Sequence, residues 1–360
     1  MSAVKDIIDN PNPVYLANKN YWDFLLQSYE GGVEYCNAFI SGNTALSSVK
    51  DYLFRIFVNG KEQKETVVSG NLFRHPKERY EDYNERLRMS YYYNFCAPII
   101  DIYQNHLFKD SVIQDFKDLQ GTFDEIEEDV DLKGDSIQEF RRELSEQAQL
   151  YGHCFVVVDS PNIPEKEVLT RQDQIKRRAF PYLSIYPPQC VLNWVLDVYG
   201  NPYWVLLKES VEVNIDPATY DKTKTSSWHF KLWTRTGWYV YDREYVLVDK
   251  GDHGLGFVPV VCVFDKKSKK QISFLGVSSL ADIAFISRDI YNSCSELKQI
   301  LRDQTFAFLA IQGSTSEYDE LSVGTSKALL YPEGRSIPAY ISPPSSNADT
   351  YFNHIDRQVR

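Results

Sequence analysis

Between Asp124 and Asp135 the chain holds seven acids, and Asp129-x-Asp131 followed by Gly134 has the opening of a calcium-binding loop. The chemistry then fails, because the third ligand position is Lys133 and the closing bidentate carboxylate position is Phe140. A solvated acidic loop entering a helix is the reading that remains. The histidines (His75, His106, His153, His229, His253, His354) stand apart, with neither HExxH nor a Cys/His pair at ligand spacing. No GxxxxGK[ST] loop is present, and Gly254-Leu-Gly256 lacks the third glycine and following helix of a dinucleotide fingerprint. GxSxG is absent too, and no cysteine has an activating neighbour in sequence. With 50 acids, two carboxylates for glycoside hydrolysis can always be found, so their presence says nothing. One pattern stays open: the Tyr/Trp-rich stretch 182–248 has rings that could stack sugars, although filling the core of a small sheet weighs more.

The elements that position these residues belong to an ordinary globular composition. Of 360 residues, 43% are apolar and 25% charged, which excludes disorder and leaves room for one large domain or two to three smaller ones. The 50 Asp and Glu against 39 Lys and Arg leave a net charge of −11, which argues against a free-standing nucleic-acid binder that gains affinity by neutralising phosphates. Apolar runs such as 154–158 and 306–311 are far shorter than the roughly 20 residues of a membrane span. The acidic, polar start has no signal-peptide pattern, so an intracellular chain is expected. The cysteines (Cys36, Cys96, Cys154, Cys190, Cys262, Cys294) sit mostly among apolar neighbours and read as buried, reduced and structural.

Along the chain, the first 75 residues read as short elements broken at Asn10-Pro-Asn-Pro13 and Gly31-Gly32. Residues 78–108 carry apolar side chains at helical steps, with a kink or split expected at Pro98. Ser136-Ile-Gln-Glu139 is a capping box opening a helix through Gln149, and 154–158 is one buried strand ending at Asp159-Ser-Pro161. The basic segment 162–178 reads as an exposed loop or frayed helix. Seven short runs follow, at 182–186, 190–194, 203–207, 230–234, 238–241, 245–248 and 258–264, which predict an antiparallel sheet or small barrel.

At Gly276 the texture changes. Residues 277–305 contain no Gly or Pro and would form a helix of about 43 Å, with Val277, Leu280, Ala284, Ile290, Leu297, Ile300 and Leu301 on one stripe. Its other face holds Arg288, Asp289, Asn292, Glu296, Lys298, Arg302 and Asp303. Strands at 306–311 and 328–331 flank a Gly/Ser/Thr loop, and a helical pattern begins at Asn347 and is cut off at Arg360, as in a truncated chain. The fold class expected is α+β.

The succession Ser136–Phe140, Tyr151-Gly-His-Cys-Phe-Val-Val-Val-Asp159, Pro181-Tyr-Leu-Ser-Ile-Tyr-Pro-Pro188 with Asn193-Trp194, Gly256-Phe-Val-Pro-Val260 and Gly276-Val-Ser-Ser-Leu-Ala-Asp-Ile283 with Tyr291-Asn-Ser293 resembles the portal proteins of tailed bacteriophages, over about four fifths of the chain. The resemblance implies a homo-oligomeric ring, usually of twelve subunits, at one capsid vertex, through which double-stranded DNA passes without sequence readout. It implies a mixed α/β wing at 1–275 with its strand-rich part at 181–264, a first stem helix at 277–305, a small clip at 306–346 and the start of a second stem helix at 347–360. The tunnel loop and crown would lie beyond Arg360. The implied partners are the terminase motor, a head-tail adaptor and the major capsid or scaffold protein. The implied location is the virion, with assembly in the host cytoplasm. No cofactor, catalysis or membrane is implied.

Charge fits this reading, because a ring of twelve such chains would carry about −132 charges and let DNA slide rather than grip it. Arg288, Lys298 and Arg302 are candidates for phosphate contacts or for salt bridges to a neighbouring subunit. The second role weighs more, since Asp289, Glu296 and Asp303 supply opposite charges. The clip strands are candidates for pairing across subunits. Glu317, Tyr318, Asp319 and Glu320 are candidates for docking a motor or adaptor. The competing reading is a carbohydrate-binding or glycoside-hydrolysing protein using the aromatic sheet; a head-tail adaptor ring is a third.

Overall fold

The computed structural model describes residues 2–36, 56–58, 61–63, 70–113, 126–161, 170–213, 225–269, 274–305, 308–310, 339–341 and 345–360. The chain divides into two compact units, one of Met1–Gly70 with Asn94–Ser287 and one of Asn71–Tyr93 with Arg288–Arg360. The architecture is mixed α+β with antiparallel sheets.

The first unit opens with α1 (Ser2–Asp9), α2 (Pro13–Glu30) and α3 (Gly32–Cys36), then a small hairpin of β1 (Ile56–Val58) and β2 (Lys61–Gln63). The amino-terminal region is therefore more than the short elements its sequence suggests. In α2, Asn12 accepts the Val14 amide and Pro13 takes the first helical position, where its missing N–H costs nothing. Eighteen residues later Gly31, at φ +66°, stops it. Its inward face buries Tyr15, Trp22, Phe24 and Leu25.

Next in this unit come α5 (Cys96–Leu107) and α6 (Ile137–Tyr151), which follow α4 (Tyr80–Met89) of the second unit. The helical stretch 78–108 is thus split at residues 90–95, not at Pro98. Pro98 lies in the first turn of α5, where no intrahelical N–H is needed, while Asn94 Oδ1 accepts the amides of Cys96 and Ala97 and starts the helix there. The capping box at α6 forms as expected, with the Ser136 hydroxyl taking the Glu139 amide and Glu139 reaching back to the Ser136 amide. Gly152, left-handed at φ +86°, closes it.

The strands after α6 form two sheets rather than one. β3 (His153–Asp159) is the central strand of the first, flanked by β4 (Tyr182–Tyr186) and β10 (Val260–Phe264), both antiparallel, with α7 (Arg171–Arg177) between β3 and β4 in sequence. From His153 to Val157 both faces of β3 are covered, which explains the apolar run there, while Val158 is exposed. Val156 packs with Phe140 and Val130, while His153 and Phe155 meet Trp22, Phe264 and Phe274. The second sheet is a five-stranded meander of β5 (Val191–Leu196), β6 (Pro202–Val213), β7 (Thr225–Thr234), β8 (Gly237–Tyr241) and β9 (Leu247–Asp252). β6 and β7 pair over ten positions, twice the length of their apolar cores, because the outward polar residues of a ladder leave no apolar trace.

In the second unit α4 packs with the later part of α8 (Ala281–Thr305), which begins in the first unit. β11 (Phe308–Ala310) pairs antiparallel with β12 (Ala339–Ile341), and α9 (Ser345–Val359) completes the unit. The expected strand at 328–331 lies outside the described residues. Among the described residues no helix is long and apolar enough to cross a membrane.

Candidate functional site

α8 is where the sequence concentrates its candidate side chains, and it starts four residues later than the apolar stripe suggests. Ser278 explains the delay: its hydroxyl takes the Leu280 amide and donates to the carbonyls of Gln149 and Leu150, which ties the chain to the end of α6 before the helix begins. Gly152 and Gly276 cross there in backbone contact, and a Cβ on Gly276 would lie 1.9 Å from the Gly152 carbonyl oxygen. The resulting helix has 25 residues and a length of about 37 Å.

Within the second unit each charged candidate on α8 has a partner in its own chain. The Arg288 guanidinium lies over the Phe73 ring at 5.2 Å. Asp289 accepts from His354 at 3.3 Å and from Gln358, and Glu296 accepts the Tyr351 hydroxyl, all three donors lying on α9. That bond to Glu296, with lesser help from burial, pushes the Tyr351 phenol up to about 12. Lys298 donates to the Met89 carbonyl at 3.1 Å, and Arg302 pairs with Glu85 at 2.6 Å and touches the Met89 sulfur. Asp303 accepts from Gln299 one turn earlier. As the α9 partners ascend from Tyr351 to Gln358, those on α8 descend from Glu296 to Asp289, so the two helices run antiparallel. The docking candidates Glu317, Tyr318, Asp319 and Glu320 lie outside the described residues.

Asn292 was read as part of the exposed polar face, and the structure corrects this. It is buried, its amide donates to the carbonyls of Asn71 and Arg288, and its oxygen accepts the Phe73 amide at 2.7 Å. Arg86 on α4 is buried beside it in the same unit, paired with Glu78 at 2.8 Å and bonded to Ser295 and to the Phe73 carbonyl. Periodicity missed this polar core because Asn and Ser on a helix read as solvent-facing unless their partners, some 200 residues away in sequence, are known. The small residues Ser287, Ser293 and Ser295, all buried on α8, were the available signal.

The acidic loop is held by its own amides and by Arg178. Asp129 takes the Gly134 amide and pairs with Arg178, while Asp131 takes the amides of Lys133 and Asp135. Among the described residues no group of three or more His, Cys, Asp or Glu could hold a metal ion. All six cysteines are free; Cys96 and Cys154 are buried as expected, whereas Cys36, Cys190, Cys262 and Cys294 are only half-buried. Burial pushes the Cys154 thiol up to about 12 and raises those of Cys190, Cys262 and Cys294, the opposite of an activated nucleophile.

The aromatic meander is already occupied by cations. Lys208 sits 3.9 Å over Trp228, Arg235 sits 4.0 Å over Tyr203, and Lys231 faces both Trp233 and Trp238. Trp233 is buried outright. A cleft of about 350 Å³ in the first unit is lined by Asp131, Lys133, Glu143, Tyr186, Lys208 and Glu209, and the Tyr186 hydroxyl donates to Glu209 at 2.7 Å. Burial, then Asp135 and Glu146, hold the Glu143 carboxyl above its usual range. No protein-family model matches the chain, and no curated protein is significantly similar to it.

Proposed function

We propose that the chain is a portal-type channel subunit, which forms a ring at a capsid vertex for DNA packaging, ejection and head-tail joining. The observation that carries this reading is the antiparallel pairing of α8 and α9 across Asp289–His354 and Glu296–Tyr351, with paired strands β11 and β12 in the connection between them. A stem of two helices joined by a small clip calls for that order. In this reading the ring has twelve subunits, DNA passes without base readout, and the terminase motor and head-tail adaptor meet the clip. The capsid or scaffold protein meets the wing, and assembly takes place in the host cytoplasm before the ring becomes part of the virion.

The in-chain partners of Arg288, Lys298, Arg302, Asp289, Glu296 and Asp303 favour a stem held rigid by its own subunit, with the remaining hydrogen-bonding capacity left for neighbours or phosphates. The cation-covered rings of the meander weigh against sugar stacking, since a stacked sugar needs the open ring face that Lys208 and Arg235 take.

Light scattering on the purified protein tests the proposal. A ring of twelve chains of 41.8 kDa has a mass of about 500 kDa, and negative-stain projections down its axis should show a central hole. A particle that stays a monomer at every concentration overturns it.

A further inference from the structure

The three-stranded sheet of the first unit ends at β4, and the hydrogen bonds around that strand show which of its groups are left over. Leu183 on β4 donates its amide to the Val130 carbonyl, away from β3, and opposite it Val158 on β3 donates to the Pro259 carbonyl on the other side. Leu183 and Val158 are therefore a pair that exchanges no ladder bonds, and the alternation of an antiparallel ladder gives Ile185 the same outward phase. The Ile185 amide and carbonyl point out of the sheet edge, and among the described residues neither has a partner. Val130 covers the edge at Leu183 and leaves it bare at Ile185.

The cleft of about 350 Å³ runs along this bare stretch, since residues 183–187 all line it. Another wall is β6 at 208–210, where β6 has passed the end of β5 and keeps β7 as its only strand partner among the described residues. A bare strand edge that opens on a cleft can take an extended chain as one further strand, with main-chain bonds giving affinity and side-chain contacts giving specificity.

Charge decides which chain. Asp131, Glu143 and Glu209 line the cleft against Lys133 and Lys208, and Lys208 is already held over Trp228 at 3.9 Å. Burial, then Asp135 and Glu146, disfavour the Glu143 charge, and Lys133 opposes them only in part, so a further cation is what this carboxylate lacks. Glu209 takes the Tyr186 hydroxyl on one oxygen and has the other for a further donor. The two acids lie on opposite faces of β4: Leu183 and Ile185 pack with Phe140 on the α6 side, whereas Tyr186 reaches Glu209 on the meander side. Adjacent residues of a strand also face opposite sides, so two consecutive cations would reach both carboxylates.

We propose that the β4 edge at Ile185 pairs with an extended segment of another protein that carries two consecutive lysines or arginines, its backbone bonded to Ile185 and its cations to Glu143 and Glu209. The cleft and the edge belong to one subunit, so this site does not depend on the ring reading.

The probe is a fluorescein-labelled synthetic peptide with two adjacent lysines between valines and threonines, titrated into the purified full chain and followed by anisotropy. Saturable binding is expected, weakened at least tenfold when glutamates replace the lysines, and again when the peptide amides are N-methylated, which keeps the charge and removes the ladder donors. Glu143→Lys, a change at an exposed side chain, should weaken binding by a similar factor with an unchanged melting temperature. Amide exchange at Ile185 should slow on saturation, a response that charge attraction elsewhere on the surface would not give. No binding, binding indifferent to N-methylation, or no slowing at Ile185 overturns the proposal. So does an Ile185 amide that is protected in the assembled protein and exchanges freely after dilution to single chains, because a second copy then occupies the edge.

Discussion

The ammonium of Lys231 on β7 lies 2.6 Å from the carboxylate of Asp159 on β3, and this pair ties the five-stranded meander to the three-stranded sheet. Both side chains are largely withdrawn from water, at 15% and 13% exposure. Trp233 and Trp238 flank the ammonium, and Tyr182 donates to the same carboxylate. Lys231→Met leaves a shielded carboxylate without its counter-charge and should cost about 3 kcal/mol in urea unfolding. Adding Asp159→Asn should recover part of that loss, with a coupling above about 1 kcal/mol in the double-mutant cycle. Additive effects would mean that the pair contributes nothing to joining the sheets.

Asn292 makes three hydrogen bonds inside the second unit, and Asn292→Leu strands the Phe73 amide and removes a donor from the Asn71 carbonyl. The expected loss is about 2–4 kcal/mol, since unpaired buried backbone groups forfeit their full solvation. Amide exchange at Phe73 should be slow in the wild type and fast in the variant; equal protection in the two would contradict the assignment.

The crossing of Gly152 and Gly276 leaves no room for a methyl group. Gly276→Ala should remove more than about 4 kcal/mol, enough to leave little soluble folded protein. Gly32→Ala is the control, with a positive φ of +68° but open space around it, and should cost only about 1 kcal/mol of backbone strain. Equal yields and melting temperatures for the two variants would refute the close-contact argument.

His153 is fully buried among Trp22, Phe155 and Phe264, accepts the Gly276 amide through Nδ1, and has no hydrogen-bond partner for Nε2 among the described residues. Burial lowers its pKa to about 4, from the ordinary 6.5. The unfolded chain therefore binds the extra proton first. Stability from this residue is complete above pH 6.5 and falls as the pH drops toward 4, by on the order of 3 kcal/mol. Unfolding free energies at pH 7.5 and 4.5 should differ more for the wild type than for His153→Gln, and equal differences would exclude His153 as the source.

Arg302 and Glu85 form an exposed pair at 2.6 Å, and its worth should be small. A double-mutant cycle is expected to give less than about 1 kcal/mol, declining as salt is raised. A salt-independent coupling of several kcal/mol would place the pair in a buried environment, contrary to its exposure.

Local chemistry is what the linear chain determined unaided. The capping box at Ser136 and Glu139 and the strand at 154–158, buried as far as Val157, were readable from their own residues, whereas the loop read as solvated is held by its own amides and by Arg178, 49 residues away. The long helix was readable too, to within four residues of its start, as were most strand centres in the meander. Pairing over long separations was decided only in three dimensions. β4 and β10 join β3 rather than the meander, and Asn292 and Arg86 turn inward. The cations of the meander cover the very rings that looked free to stack a ligand. In each case the side chain's partner lies tens to hundreds of residues away, and hydrophobic periodicity reports which face of an element is apolar but not what a polar group on that element will meet.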